Sequence, residues 1–175
     1  INSRRTSSDF WSGTSPETPS EMSPPASPKQ SKCLLLGDPV DHSFSPLIHN
    51  SALKHLDLAI QYEARKVSRS ELEEVVKSID GHHILGGNVT LPFKQDVIGM
   101  VDSMTTTAHA VGAVNTIYRV RGRLVGENTD VTGFVGPLQE LDFKGKTVLI
   151  LGAGGAARAV AYAALQRLEA KLVVV

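Results

Sequence analysis

Asn88, Thr90 and Lys94 lie close together in the stretch Gly86-Gly87-Asn88-Val89-Thr90-Leu91-Pro92-Phe93-Lys94. In an extended backbone Asn88 and Thr90 share one face while Val89 points to the other, so a strand ending here presents an amide and a hydroxyl side by side. Pro92 has a fixed φ and no N–H, which suits the first turn of a helix, and Lys94 would then stand in that same turn. The helix dipole disfavours a cation at that end, a setting suited to a lysine that exchanges a proton. A lone lysine is an ordinary surface residue, and the neighbours are what single this one out.

Four other groups of residues carry candidate chemistry. Ser43 and Ser45 alternate at a helix entrance, where hydroxyls beside free N–H groups make a seat for a carboxylate, although Ser45 before Pro46 also reads as a plain N-cap. Asn115 stands near the beginning of a predicted hairpin, and Asn128-Thr129-Asp130 stands just past its end. Those ends of an antiparallel pair lie on one side of a sheet, so Asn115 and Asp130 can face one cleft. Asp130 also reads as the N-cap of the next helix, capping with one oxygen and acting with the other. Finally, Gly152-Ala153-Gly154-Gly155-Ala156 follows a buried strand and opens an Ala-rich helix, the context in which glycines let a backbone approach a pyrophosphate at a helix N-terminus. His82 and His83 are adjacent, but no Cys or carboxylate at ligand spacing accompanies them, so they read as loop residues and no metal is expected.

These positions require a particular order of elements. Cys33-Leu34-Leu35-Leu36, stopped by Gly37-Asp38-Pro39, has the pattern of a strand buried on both faces. A helix follows with an apolar stripe of Leu47, Ile48, Ala52, Leu53 and Leu56. Ile60 to Val67 reads as a second strand, with Glu63 and Arg65 pointing to an edge. Ser68 and Glu71 have capping-box spacing before a helix carrying Leu72, Val75, Val76 and Ile79, which closes before Gly81. This alternation predicts an α/β fold with a mainly parallel mixed sheet flanked by helices. Val97 to Val101 and Asp102 to Ala110 read as helical turns. Val114 to Val120, a turn at Arg121-Gly122 and Leu124-Val125-Gly126 form an antiparallel hairpin added to the sheet. A helix through Phe134, Val135, Leu138 and Leu141 leads to a turn at Asp142-Phe143-Lys144-Gly145. Lys146 to Leu151 then begins a second unit, a Rossmann-like nucleotide-binding domain whose second strand is Lys171 to Val175.

Composition narrows the classes. The chain has 175 residues, 18 basic against 18 acidic side chains, 41% hydrophobic content and one cysteine. This is the profile of a globular cytoplasmic protein without disulfides. It offers no nucleic-acid partner, no membrane span and no signal peptide. Residues 1–31 differ from the rest, because more than half are Ser, Thr or Pro. Such a segment cannot offset its ordering entropy by burial and reads as a disordered tail or linker, consistent with membership of a longer multidomain polypeptide. The domain limits expected are 1–31 for the tail, 32–141 for the first domain and 142–175 for the start of the second.

Gly-Gly-Asn-Val-Thr-Leu-Pro-Phe-Lys resembles the signature of shikimate dehydrogenases. Further segments fall in that family's order: Asp41-His42-Ser43-Phe44-Ser45-Pro46, Gly112-Ala113-Val114-Asn115-Thr116, Asn128-Thr129-Asp130 and Gly152-Ala153-Gly154-Gly155-Ala156-Ala157-Arg158-Ala159. The resemblance implies reversible, NADP-dependent (or NAD-dependent) reduction of 3-dehydroshikimate to shikimate, a step of aromatic amino-acid biosynthesis. It gives the acid/base role to Lys94 with Asp130 beside it, the ring carboxylate to Ser43, Ser45 and Thr90, ring hydroxyls to Asn115 and Asp130, and the pyrophosphate to the loop from Gly152 to Ala156. The loop departs from G-x-G-x-x-G, since Gly155 directly follows Gly154 and Ala157 stands where the third glycine would be. Residues that read the adenosine ribose would follow Val175, so a chain of this extent is expected to be inactive alone. A quinate/shikimate dehydrogenase and a non-catalytic ligand-sensing module of a regulator are the other readings; retention of both Lys94 and Asp130 weighs against the sensor.

Overall fold

A computed structural model describes residues 30–174. The Ser/Thr/Pro-rich tail lies outside the described residues apart from its last positions. The chain runs β1 (Ser31–Gly37), α1 (Ser45–His55), β2 (Ile60–Lys66), α2 (Leu72–Lys77), β3 (Ile84–Val89), a 3-10 helix (Asp96–Met100), β4 (Ser103–Met104), α3 (Thr106–Val111), β5 (Thr116–Val120), β6 (Arg123–Glu127), α4 (Asp130–Val135), β7 (Thr147–Ile150), α5 (Gly155–Gln166) and β8 (Lys171–Val174). The first sheet has the order β2-β1-β3-β5-β6-β4, and β7 and β8 form a separate parallel pair.

Alternation in β1 explains how that sheet is covered. Leu34 and Leu36 face a core made with Leu72, Val75, Val76 and Ile79 of the α2 region, Val89, Phe93, Val97, Val114 and Ile117. Leu35 points to the other face, where it meets Val40, Tyr62 and the partly buried Leu53 of α1. Residues two apart therefore share a layer, as the pleat demands. β2 is an edge strand, which accounts for the charges at Glu63 and Arg65. Gly86 and Gly87 lie in β3 between β1 and β5, where an added Cβ would stand 2.6 Å from the Ile117 carbonyl oxygen and 2.8 Å from that of Leu34. No side chain fits at that approach.

The hairpin of β5 and β6 is antiparallel and turns at Arg121 (φ 50°) and Gly122 (φ 79°), both in the left-handed region that tight two-residue hairpin turns use. β5 lies antiparallel to β3 with Asn88 opposite Thr116. The Ser68 backbone N–H donates to Glu71 Oε2 at 2.9 Å, but the N-cap of α2 falls at Glu71 and not at the expected Ser68, and no side chain caps it. Asp80 closes the turn before β3, accepting the backbone N–H groups of His82, His83 and Ile84. Those hydrogen bonds, that of His82 foremost and the His83 ring next, hold its carboxyl far below the usual carboxylate range. The adjacent histidines are thus part of a turn, and among the described residues no cluster of His, Cys, Asp and Glu could hold a metal. No helix among those residues is long and apolar enough to cross a membrane.

Local expectations change at several points. Ser45 is not the N-cap of α1; Phe44 holds that position, and Ser43 Oγ accepts the Ser45 N–H at 3.2 Å. The apolar stripe of α1 has the helical period but is not buried, with Leu47 66% and Leu56 64% exposed, and only Leu53 reaches a core. Pro92 and Lys94 do not open a helix. The peptide bond before Pro92 is cis, residues 91–95 form turns, and the 3-10 helix starts only at Asp96. The cause is tertiary: the Lys94 carbonyl accepts the Val114 N–H at 2.7 Å, while the Ile98 N–H bonds Gln95 instead. Asp130 is not an N-cap either, since Thr129 holds that place, and Asp130 turns its carboxylate elsewhere.

Candidate active site

Strand register brings the candidate residues to one edge. β1 and β3 run parallel with Leu36 beside Val89, so the loops after Gly37 and after Val89 leave the sheet together. β5 enters and β6 leaves at that same edge, because Thr116 pairs with both Asn88 and Glu127. Thr90 directly follows β3 and Asn115 directly precedes β5, while the serine pair, Lys94 and Asp130 stand in the segments that leave β1, β3 and β6. The carboxyl edge of parallel strands is where α/β sheets bind ligands.

Within this edge the structure joins Lys94, Asp130 and Asn115. Lys94 Nζ donates to Asp130 Oδ2 at 2.6 Å, with the two side chains 16% and 29% exposed. Asn115 Nδ2 donates to Asp130 Oδ1 at 2.8 Å, so both carboxylate oxygens are engaged. Two donors fix the carboxylate plane, and the carboxylate in turn aims the ammonium. Asn115 is itself buried and held hard. Its Oδ1 accepts the Thr129 N–H at 2.8 Å and the Thr116 hydroxyl at 2.9 Å, and its Nδ2 also reaches Thr129 Oγ1 at 3.0 Å. Both amide hydrogens of Asn115 therefore already have acceptors within the protein.

A second polar chain supports this one. Tyr62 O–H donates to Asn88 Oδ1 at 2.7 Å, and Asn88 Nδ2 donates to Thr116 Oγ1 at 3.0 Å. Burial, and secondarily the Cys33 thiol, push the Tyr62 phenol up from 10.0 to about 12, so it is a donor under ordinary conditions. Tyr62 had no signal in the sequence, since nothing about a tyrosine in an edge strand shows which side chain it will meet across the sheet. Thr116 and Thr129 stood inside recognised motifs, yet their part in holding Asn115 emerges only from the pairing of β5 with β6.

Thr90 lies on the same face as Asn88, with its methyl group over Gly37: a Cβ added at Gly37 would stand 2.4 Å from Thr90 Cγ2. The serine pair is linked by Ser43 Oγ donating to Ser45 Oγ at 3.1 Å. No side-chain hydrogen bond ties this pair to Lys94. The two groups share an edge, and each is built separately.

The glycine loop meets the cluster from the other side. Leu151 to Gly154 are exposed, Gly152 has φ 104°, and a Cβ at Gly152 or Gly154 would find nothing within 4 Å. The loop is thus open where it leads into the 12-residue α5, whose N-cap Gly154 makes no side-chain cap hydrogen bond. α5 packs on the first unit through a core of Val111, Ala113, Val131, Ala159 and Ala163.

Known proteins share this fold. Residues 35–117 match a family model described as the shikimate dehydrogenase substrate binding domain. Shikimate dehydrogenase (NADP(+)) of Salinibacter ruber is 48% identical over 134 residues, covering 75% of this chain and 47% of that protein. The crystal structure of shikimate dehydrogenase from Aquifex aeolicus superposes with a TM-score of 0.77 at 37% identity, over 83% of this chain and 55% of the other. Shikimate 5-dehydrogenase from Thermus thermophilus in complex with NADP(H) and shikimate gives a TM-score of 0.74 at 40% identity, over 82% and 55%. The chain thus spans about half the length of the curated relatives it matches. With its signature residues gathered at the carboxyl edge of the matched sheet, this chain belongs to the shikimate dehydrogenase family.

Proposed function

We propose that this chain supplies the substrate-binding and proton-transfer half of an NADP-dependent shikimate dehydrogenase, which interconverts 3-dehydroshikimate and shikimate. The observation that carries the reading is the Lys94–Asp130–Asn115 cluster at the carboxyl edge of the sheet. In the direction of reduction, Lys94 Nζ donates a proton to the ring carbonyl oxygen as the carbonyl carbon gains a hydride, giving the alcohol; oxidation reverses both transfers. Asp130 keeps the ammonium aimed and stabilises its charge. Asn115 acts chiefly by fixing Asp130, and a ring hydroxyl reaches its amide by taking the place of Thr129 Oγ1.

Ser43, Ser45 and Thr90 hold the ring carboxylate in this reading. Gly152, Ala153, Gly154, Gly155 and Ala156 would hold the cofactor's pyrophosphate, and NADP when bound supplies or accepts the hydride. The domain limits that go with the proposal are 32–141 for substrate and from 142 onward for cofactor. By itself the 175-residue chain offers a cofactor little beyond the glycine loop and is proposed to be inactive. The decisive experiment replaces Lys94 by alanine in a polypeptide carrying this sequence and a complete cofactor domain. Turnover of shikimate should fall about 10²–10⁴-fold with modest change in shikimate affinity. Near wild-type turnover would remove Lys94 from the acid/base role.

A further inference from the structure

The glycines of the loop before α5 are not equivalent. Around Gly152 and Gly154 an added Cβ finds empty space, but at Gly155 it would stand 3.0 Å from Lys94 Cδ, 3.1 Å from Lys94 Cβ and 3.6 Å from Ala113 Cβ. The first residue of α5 is therefore pressed against the aliphatic stem of the lysine whose Nζ meets Asp130. The same helical turn is seated nearby at a second place, where Arg158 Nη1 would lie 3.3 Å from a Cβ added at Gly112. The Lys94 carbonyl is tied to the Val114 N–H at 2.7 Å, so the backbone of Lys94 has little freedom to retreat.

We infer that Gly155 is a positioning residue for Lys94: its missing side chain lets α5 close on the lysine stem and fixes the direction in which Nζ is aimed. The backbone conformation of Gly155 carries no positive φ, so the requirement for glycine here comes from the contact and not from the chain's own dihedrals. A Cβ at this site displaces the lysine stem by a few tenths of an ångström, and the displacement is carried to an Nζ held at 2.6 Å from its carboxylate. Loop and acid/base lysine thus form one mechanical unit, a role for this glycine additional to backbone access for a phosphate.

The inference rests on the acid/base reading of Lys94 for its meaning, but its test uses no turnover. In the 175-residue chain labelled at lysine and glycine, nuclear Overhauser contacts should connect Gly155 Hα with the Hβ and Hδ protons of Lys94. Gly155→Ala should shift the Lys94 Cε and Hε resonances, and the neighbouring Gly154→Ala should leave them in place. Absence of the wild-type contacts, or equal shifts in both variants, would overturn the inference. If Gly155→Ala does not fold, the wild-type contacts decide the matter. Should the contacts and shifts appear while Lys94→Ala retains turnover, the positioning contact stands and the acid/base reading fails instead.

Discussion

Replacing Asp130 by asparagine keeps the shape of the side chain and removes one acceptor. Asp130 accepts on both sides, from Lys94 Nζ at 2.6 Å and from Asn115 Nδ2 at 2.8 Å. Whichever way the new amide turns, its NH2 faces a donor, the ammonium in one rotamer and the Asn115 amide in the other. A hydrogen bond to a charged group contributes about 1.5–3 kcal/mol. The Lys94 and Asp130 side chains keep 16% and 29% of their surface, so water replaces part of what is lost and a net cost of about 1–2 kcal/mol is expected. With a urea dependence of roughly 1–3 kcal/mol per molar, the denaturation midpoint should fall by about 0.5–1 M. In a Lys94→Met background, which keeps the stem and removes the charge, most of that fall should disappear, because the two positions are coupled. An unchanged midpoint for Asp130→Asn, or the same fall with and without Lys94, would refute the claim that this pair organises the site.

Other consequences can be measured independently. Ser43→Ala combined with Ser45→Ala should weaken shikimate binding far more than binding of the nicotinamide cofactor, as read by calorimetry on a polypeptide with both domains; equal losses would point to misfolding. Gly87→Ala places a Cβ 2.8 Å from the Leu34 carbonyl oxygen in the middle of the sheet and should destabilise the chain by about 1–3 kcal/mol in urea titrations. A neutral result would mean that β1 and β3 are not paired as described. Tyr62 is held above its ordinary 10.0, at about 12, so it contributes stability that is complete below pH 10 and is lost as the pH climbs toward 12. Tyr62→Phe should flatten that alkaline loss in thermal melts, and an identical alkaline profile would exclude the phenol as its source.

Much of this was legible because it depends on local period and turn chemistry. Leu34, Leu35 and Leu36 declare a two-sided strand, and the sheet buries them on both faces. Arg121-Gly122 declares a tight turn, and that turn sets the register that puts Asn115 beside Asp130. What failed depended on partners remote in sequence. A helical period in Leu47, Ile48 and Leu56 states that α1 has an apolar face, but not what covers it, and these residues stay exposed. The Ser-Phe-Ser-Pro pattern offers Ser45 as a cap, but Phe44 takes that place and the Ser45 N–H goes to Ser43 Oγ.

Lys94 shows the same limit most clearly. Pro92 suits a helix start by its own dihedral, yet the Lys94 carbonyl bonds the Val114 N–H, and the Ile98 N–H that would continue a helix through Lys94 goes to Gln95. The long-range bond belongs to the sheet, since Val114 leads into Asn115 and β5. Taking Lys94 out of a helix is therefore what ties it to the segment that brings Asn115, and through Asn115 to Asp130. The sequence motif names the candidate residues, but their geometry is set by which backbone groups the hairpin claims. A substitution that disturbs β5 at Ile117, a fully buried apolar residue next to Thr116, should consequently misaim Lys94 without touching it.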